Sequence, residues 1–493
     1  MADRLRQHPH LYEINAWPWL DAVSRREGQS LTLSAVPDRE WDRLADQGVD
    51  LVYLMGLWRR SPIGRQVARS EPQLFDAYDE ALPGWRVRDV VGSAYCISGH
   101  EPDPRFGTWA DLAAVREKLR VRDMRLIVDF IPNHTGFDHP WTEQFPDRYV
   151  QGRDEAFRRN PSAFRAIERS TGDVRFIACG RDPFFAPWTD VAQLDYFNDD
   201  TRTAMIDVLK MLATRADGVR CDMAMLALTD VFGRTWSPLL SRAAPATEFW
   251  ADARAAVPGF VLIAEVYWDL EWRLQQLGFD FTYDKRLYDR LLHAPPGDVR
   301  DHLRADAGYQ RRSARFIENH DEPRSATAFG SRVRAAAIVT STLPGLRFFH
   351  DGQFEGRRAR LPVQLGTLPY EPVDPDLFEF YRRLLSIVDA PVFHDGEWRL
   401  CSVDACDDTS GDLVAWQWTL ADDDRVVVVN LGRGVSQGHV RFAAGASQPT
   451  TIVFEDQLNG IQYPRPRADV ESRGLYVRLN RGGAHLFRLA GNP

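Results

Sequence analysis

Short apolar runs alternate with amphipathic stretches over most of the chain, and this alternation restricts the fold more than any other feature. Each run contains β-branched or aromatic residues and is bounded by Gly, Pro or polar residues, as buried parallel strands are. The predicted strands cover residues 11–15, 50–55, 125–130, 218–222, 260–265, 278–283, 315–320 and 345–350.

Between the runs, apolar residues recur with the period of a helix. In the first such stretch, Trp41, Leu44 and Ala45 share one face and Gly48 ends the pattern. The predicted helices cover residues 37–49, 107–120, 200–213, 269–277 and 376–388. Strand–helix pairs in this number predict an α/β fold, a closed (β/α)8 TIM barrel. An open doubly wound sheet is the alternative, but no Gly-rich phosphate-binding loop follows the first strand.

Two segments depart from this repeat. Residues 135–198 have no clear helical period and are too long for a simple barrel loop, which predicts an inserted domain. From about residue 390 the pattern alternates with period two, which predicts a C-terminal antiparallel β-sandwich. Its six predicted strands cover residues 398–403, 412–420, 425–432, 450–458, 474–479 and 484–490. The predicted organisation is therefore a first part of the barrel (1–134), an inserted domain (135–198), a second part of the barrel (199–389) and a C-terminal domain (390–493).

Charge and cysteine usage exclude several classes of function. The formal net charge is −9 and no long basic run occurs, so we expect no nucleic-acid partner. The five cysteines are irregularly spaced and indicate neither a zinc site nor a disulfide framework. The first 15 residues lack the apolar core of a signal peptide, and no apolar run is long enough to span a bilayer. We therefore expect a cytoplasmic protein with no membrane partner; its oligomeric state does not follow from the sequence.

Polar side chains gather at the ends of four predicted strands. In a barrel of this kind the active site forms at the carboxyl ends of the strands, so these side chains should meet at one rim. The residues concerned are Asp129, Asn133 and His134 after strand three, Arg220 and Asp222 at the end of strand four, Glu265 at the end of strand five, and Asn319, His320 and Asp321 at the end of strand seven.

Such an inventory suits the cleavage of a glycosidic bond, which needs two carboxyl groups in different protonation states. Arg220 lies two residues before Asp222 and so on the same face of the strand, where its charge would keep Asp222 ionised. Glu265 ends an apolar strand, an environment that would raise its pKa and suit a general acid. The alternative is that these carboxylates form ordinary salt bridges at the rim.

The four segments also resemble a known family. DFIPNH (129–134), GVRCD (218–222), IAEV (263–266) and ENHD (318–321) are similar, in this order, to the four short conserved regions of the α-amylase family, glycoside hydrolase family 13. Tyr95 with the following 102–112 resembles the family's segment before its second barrel helix. The inserted and C-terminal segments stand where the family has its domains B and C, so the resemblance covers almost the whole chain.

The resemblance implies a retaining glycoside hydrolase that acts on the α-glucosidic bonds of maltooligosaccharides or α-glucans. By this resemblance Asp222 would be the nucleophile that forms a covalent glycosyl intermediate, and Glu265 would act first as the acid and then as the base. Asp321 would bind sugar hydroxyls and stabilise the transition state.

Four further residues would bind the substrate by the same resemblance. Arg220 would orient Asp222, and His134 and His320 would donate hydrogen bonds to the sugar at the point of cleavage. Tyr95 would stack beneath that sugar.

One departure from the family concerns calcium. Many α-amylases carry Lys-His shortly after the nucleophile, and the histidine often gives its carbonyl to a structural calcium ion. Here Met223, Ala224, Met225 and Leu226 follow Asp222. We therefore expect no cofactor and assign no metal ligand, while a structural calcium ion stays open as the alternative because Asn133 matches one calcium ligand of the family.

Three classes of function remain open at the level of sequence: a hydrolase, an enzyme that transfers the glycosyl group to an acceptor other than water, and a catalytically silent relative. Water as the acceptor of the glycosyl group gives a hydrolase, whereas a sugar hydroxyl gives a transglycosylase or isomerase similar to trehalose synthase, and phosphate gives a phosphorylase. A catalytically silent sugar-binding relative is the third class, which the presence of Asp222, Glu265 and Asp321 disfavours. Chain length, linkage and exo or endo action do not follow from the sequence.

Overall fold

The centre of the molecule is a closed barrel of eight parallel strands, which confirms the predicted fold class. The computed structural model describes residues 5–443 and 450–490. Neighbours around the barrel follow the order of the chain, and the first strand pairs with the last. The barrel strands, in order, are His10–Asn15, Leu51–Met55, Arg125–Phe130, Gly218–Cys221, Val261–Ala264, Phe281–Tyr283, Ser313–Arg315 and Leu346–His350.

Strand seven ends earlier than the sequence pattern predicts. It covers Ser313–Arg315 rather than residues 315–320, so His320 and Asp321 lie on the loop beyond it. The Asn319 side-chain oxygen accepts hydrogen bonds from the backbone N–H groups of Asp321 and Glu322, each at 2.9 Å. This local turn replaces strand pairing and carries the two polar residues over the barrel mouth.

Helices connect the barrel strands, and further helices lie in the inserted segment (140–144 and 154–159) and in the C-terminal part (391–395 and 467–473). All five predicted helices occur with shifted ends. The helices are Ala16–Glu27, Asp38–Asp46, Pro62–Ser70, Phe75–Ala81, Trp109–Arg120, Pro140–Gln144, Asp154–Arg159, Asp199–Ala213, Thr229–Trp236, Phe249–Ala256, Glu271–Gln276, Lys285–His293, Pro296–His302, Ala307–Arg311, Ser325–Ala328, Val333–Thr342, Pro375–Val388, Pro391–Asp395 and Arg467–Arg473.

The long segment after strand three contains a sheet of its own. Its five strands are His134–Gly136, Gln151–Gly152, Phe164–Glu168, Val174–Gly180 and Trp188–Gln193, all paired antiparallel. Gln193 pairs with His134, only four residues after the end of barrel strand three. The inserted sheet is therefore attached directly at the rim where the predicted site residues lie. A separate two-stranded ribbon joins Trp58–Arg60 to Ile97–Pro102.

The C-terminal part forms eight antiparallel strands, two more than the sequence predicts. Ser436–Arg441 and Ile461–Pro466 are the unpredicted ones, and the two prolines of the second weaken its strand pattern. The strands are Glu397–Ala405, Leu413–Leu420, Asp423–Asn430, Ser436–Arg441, Thr451–Asp456, Ile461–Pro466, Leu475–Leu479 and Ala484–Ala490.

This sheet bends at its first strand, which pairs with one neighbour through residues 397–401 and with another through residues 402–405. An apolar core that includes Leu413, Val440 and Phe454 joins strands from both sides of the bend. Other apolar side chains of the sheet belong to the core of the barrel. Trp418 is one, and its indole N–H donates to the carbonyl oxygen of Thr342 at 2.6 Å.

All five cysteines carry free thiols. Within residues 5–443 and 450–490, no helix has both the length and the apolar character needed to cross a bilayer. The outer ends of the predicted first and last segments, residues 1–4 and 491–493, lie outside the described residues.

Candidate active site

A cavity of about 620 Å³ opens at the carboxyl ends of the barrel strands, between the barrel and the inserted sheet. Its lining includes Tyr95, His134, Trp188, Asp190, Asp222, Met223, Glu265 and Asp321. A larger cavity, about 860 Å³, lies at the opposite end of the barrel. Charged side chains there already pair with each other, as Arg6 does with Asp50 and Arg116 with Asp217.

Asp222 and Glu265 stand side by side because strands four and five are in register. Cys221 pairs with Ala264, and each carboxylate residue directly follows one member of this pair. The backbone N–H of Glu265 donates to the Cys221 carbonyl at 3.1 Å, and that of Asp222 donates to the Phe130 carbonyl at 2.9 Å. The ends of three neighbouring strands therefore fix both residues.

Arg220 bridges the two carboxylates from below. One terminal nitrogen of its guanidinium, Nη1, donates to Asp222 Oδ1 at 2.7 Å, and the other, Nη2, lies 2.8 Å from Glu265 Oε2. All three side chains are buried. A buried cation that contacts both anions at once offsets part of the free energy that their desolvation costs.

Glu265 has two further donors. The backbone N–H of Met223 donates to Oε2 at 2.7 Å, and the Tyr267 hydroxyl donates to Oε1 at 2.9 Å. Met223 has a φ of 43°, an unusual value for a residue with a side chain, and this local backbone turns its N–H toward Glu265. Burial raises the pKa of Glu265 to about 7, and the opposing charge of Arg220 limits the rise.

The pKa of Asp222 also lies above its ordinary value, because burial outweighs the nearby charge of Arg220. The charge of Arg220 alone would keep Asp222 ionised, as predicted from the sequence, but the burial of Asp222 acts in the opposite direction. Asp321 and Asp129 add like charge that raises the pKa further. Two carboxyl groups this close do not both ionise readily. The pair therefore keeps one proton, which stays on Glu265 up to about neutral pH.

Asp321 occupies the rim of the cavity, where its side chain stays 46% exposed. Its carboxylate lies 3.1 Å from Nε2 of His320. Desolvation would raise the pKa of Asp321, but His320 and Arg220 outweigh it and lower that pKa to about 2. Asp321 is therefore an anion at neutral pH, whereas Glu265, with a pKa of about 7, titrates near that pH.

His320 is buried between three polar groups. Its Nδ1 lies 2.6 Å from Glu13 Oε1, and its Nε2 lies 2.8 Å from the hydroxyl oxygen of Tyr95. Burial would lower the pKa of His320, but the charges of Asp321 and Glu13 raise it well above its ordinary value. The Tyr95 ring stacks on His320 at 5.4 Å between ring centroids, and the Arg220 guanidinium lies 5.1 Å from the Tyr95 centroid.

His134 lies on the opposite wall, where it joins the barrel to the inserted sheet. Its Nε2 is 3.2 Å from the Tyr95 carbonyl oxygen, and its ring meets the Trp188 ring edge-on at 5.6 Å. Burial lowers the pKa of His134 to about 4, so its ring is neutral at physiological pH. Asp129 lies beneath the site, where its carboxylate accepts hydrogen bonds from the Tyr53 hydroxyl and the Gly56 backbone.

The model of the α-amylase catalytic domain matches residues 94–267 of the chain. This stretch contains three of the four segments that bring the polar residues to the cavity, and the fourth supplies His320 and Asp321 beside them. Over residues 94–267 the chain is similar to the α-amylase catalytic domain.

Two curated proteins are also similar to parts of the chain. The chain is 25% identical over 385 residues to the α-amylase MalA of Haloarcula japonica, an alignment that covers 76% of this chain and 49% of that protein. It is 30% identical over 231 residues to the trehalose synthase/amylase TreS of Mycobacterium tuberculosis, which covers 44% of this chain and 32% of the relative. The chain thus spans half or less of the length of these curated relatives.

A maltogenic α-amylase of Thermotoga neapolitana has the same fold, with a TM-score of 0.67, 18% identity and coverage of 99% of each chain. At this level of identity the likeness concerns the fold alone.

One residue of this site, Glu13, was not predicted from the sequence. Glu13 contacts His320 from barrel strand one. The sequence indicated it only by a carboxylate between the apolar residues Tyr12 and Ile14. Tyr267 contacts Glu265 from two residues further along the chain, although sequence could not distinguish this contact from simple packing. The other candidates, Tyr95, His134, Arg220, Asp222, Glu265, His320 and Asp321, all meet around one cavity.

The residues around Asn133, which matches a calcium ligand of the α-amylase family, do not fit that ion. Both oxygens of Asn133 already accept hydrogen bonds from the side-chain amide of Gln193. Calcium takes six to eight oxygen ligands and favours carboxylates. In the part of the chain that the structure describes, no three His, Cys, Asp or Glu side chains form a group that could hold a metal ion.

We predict that E265Q is more stable than the parent chain at pH 8. The pKa of Glu265 is about 7 in the folded protein and has an ordinary value of 4.5, so ionisation destabilises the fold as the pH rises between these values. Replacement by a neutral isostere should raise the free energy of unfolding by about 1–3 kcal/mol at pH 8, with no such gain at pH 4. Urea unfolding at both pH values measures this difference.

The matched control is E117Q, which alters an exposed glutamate paired with Arg120. Hydrogen bonding from Arg120 lowers the pKa of Glu117, so E117Q should give no gain at pH 8. A gain of equal size in E265Q at pH 4 and pH 8 would contradict the predicted titration of Glu265.

Proposed function

We propose that the protein is a retaining glycoside hydrolase that cleaves α-glucosidic bonds in maltooligosaccharides or α-glucans. One observation carries the proposal: two buried carboxyl groups, Asp222 and Glu265, share one guanidinium at the mouth of the barrel. The pKa of Glu265, about 7, suits a group that must give up a proton and take it back near neutral pH.

In the first step Asp222 attacks the anomeric carbon of the glucosyl residue while the bond to the leaving oxygen breaks. Glu265 gives its proton to that oxygen, so the leaving sugar departs as a neutral alcohol. Arg220 contacts Asp222 Oδ1 and stabilises the attacking charge before the ester bond forms. Asp321 and the other polar groups of the rim bind the hydroxyls of the same sugar.

In the second step water attacks the anomeric carbon of the glycosyl ester. Glu265, now a carboxylate, accepts a proton from this water, and Asp222 leaves as a carboxylate. Both groups return to their starting protonation states, so the cycle needs no cofactor.

The register of strands four and five supports retention rather than inversion of the anomeric configuration. In-register residues of neighbouring strands lie about 4.8 Å apart, and Asp222 and Glu265 each follow a paired residue. Retaining enzymes hold their carboxyl groups about 5–5.5 Å apart, whereas inverting enzymes need about 6.5–9.5 Å for a water molecule. The backbone arrangement favours the shorter separation.

Exposed aromatic side chains beside the cavity support an oligosaccharide as substrate. Phe184 is 68% exposed, and its ring meets the Trp268 ring edge-on at 4.9 Å. Phe185 is 72% exposed on the same loop. Such rings offer flat apolar faces on which further sugar rings can stack. The five free thiols support a cytoplasmic location, and we infer neither a nucleic-acid nor a membrane partner.

Transglycosylation is the second candidate, in which a sugar hydroxyl takes the place of water. The similarity to a protein named trehalose synthase/amylase favours this candidate. The residue after Asp222 adds support, because Met223 lines the cavity with an apolar side chain.

We predict that a substrate with an acidic leaving group restores the first chemical step in E265Q but not in D222N. On maltotriose, D222N should lose on the order of 10⁴-fold or more in kcat, and E265Q about 10²–10⁴-fold. On an aryl α-glucoside with an acidic phenol, E265Q should still release a burst of about one phenol per active site, because that leaving group needs no proton. D222N should give no burst, which rapid-quench kinetics measures.

Thermal unfolding of both variants serves as the control for folding. A burst in D222N equal to that of the parent chain would contradict the role of Asp222.

One analysis of the products determines both the acceptor of the glycosyl group and the anomeric configuration of the product. Proton NMR during the first minutes with maltotriose should show the α-anomer of the newly formed reducing sugar before mutarotation; the β-anomer would contradict retention. With maltose, release of glucose alone supports the hydrolase, and the appearance of trehalose supports the second candidate. Glucose 1-phosphate formed only when phosphate is added would identify a phosphorylase instead.

A further inference from the structure

Three oxygens converge on the side-chain amide nitrogen of Gln193, where barrel strand three gives way to the inserted sheet. The carbonyl oxygen of Asn133 lies 2.9 Å from this nitrogen, the Asn133 side-chain oxygen 3.0 Å, and the Leu194 carbonyl oxygen 3.1 Å. Gln193 is fully buried and Asn133 is 1% exposed. Three acceptors therefore share the two protons of one amide.

The orientation of the Gln193 amide is fixed by its partners. Two of the three oxygens are backbone carbonyls, which can only accept, so the atom that faces them must be the nitrogen. The other end of the amide, Oε1, accepts from Asn133 Nδ2 at 3.3 Å. Asn133 and Gln193 thus form a reciprocal pair of side-chain amides.

We propose that Gln193 takes the place of a structural cation in this protein. A hard cation binds several oxygens that point at a common centre. Here the neutral side-chain amide nitrogen of Gln193 occupies that centre. The amide donates two N–H groups to the oxygens where an ion would supply positive charge. Because no positive charge has to be balanced, the junction needs no carboxylate. By this means the chain fastens its inserted sheet to the barrel without a metal.

The same amide pair reaches the active site through His134. Asn133 Nδ2 lies 3.3 Å from His134 Nδ1, which makes Nδ1 the acceptor and leaves the proton on Nε2. That Nε2 faces the carbonyl oxygen of Tyr95 at 3.2 Å. Gln193 is accordingly a positioning residue for the wall that carries His134 and Tyr95. This last step rests on the proposed function, whereas the amide junction can be tested without any substrate.

The test is the thermal unfolding of the full chain and of Q193E, each in EDTA and in CaCl₂. The midpoint of the parent chain should be the same in both. Q193E places a carboxylate oxygen among three acceptors, so in EDTA its midpoint should fall by roughly 3–6 °C. Calcium should restore much of this loss in Q193E, because the added carboxylate completes an oxygen cage; NaCl of equal ionic strength should not.

Q275E is the matched control, since Gln275 is also fully buried but faces only the Thr282 hydroxyl at 2.9 Å and one more distant carbonyl. It should lose stability without a calcium response. A parent chain that EDTA destabilises and calcium restores would overturn the proposal. So would a Q193E chain that is as stable as the parent, or one that ignores calcium, because the oxygens would then not form a cation-like site. None of these outcomes depends on catalytic activity.

Discussion

The contact of one buried guanidinium with two buried carboxylates governs the whole site. Arg220 meets both Asp222 and Glu265, and each carboxylate would be costly to bury alone. A single positive charge can compensate only one full negative charge, so the remaining carboxyl is most stable with its proton. The asymmetry that glycoside cleavage requires, one anion and one acid, therefore follows from the charge balance of three side chains.

The barrel makes this contact possible because parallel strands deliver their last residues to one rim. In-register pairing of strands four and five places Asp222 next to Glu265, and the early end of strand seven lets Asp321 reach the same cavity from a loop. The inserted sheet closes the opposite wall through His134 and Trp188. The barrel thus fixes the buried carboxyl groups, and the longer connections shape the cavity above them.

Sequence patterns predicted the barrel well because buried parallel strands are apolar on both faces and stand out from amphipathic helices. They failed where side chains decide the local structure, as at Asn319, whose turn ends strand seven early, and in the proline-bearing strand Ile461–Pro466. The four motifs identified Asp222, Glu265 and Asp321, but not Glu13 or Gln193, whose partners lie 307 and 60 residues away in the chain. Long-range polar contacts of this kind leave almost no local signal.

The proposed mechanism requires that Asp222 form a covalent bond to the substrate. A fluorinated α-glucosyl fluoride combines a good leaving group with a destabilised transition state, so it should accumulate the glycosyl-enzyme. Mass spectrometry of the digested protein should then find one fluoroglucosyl group on the peptide that contains Asp222, with fragmentation locating it on that carboxylate. A label on Glu265 or Asp321, or turnover of the reagent with no labelled peptide, would contradict the account.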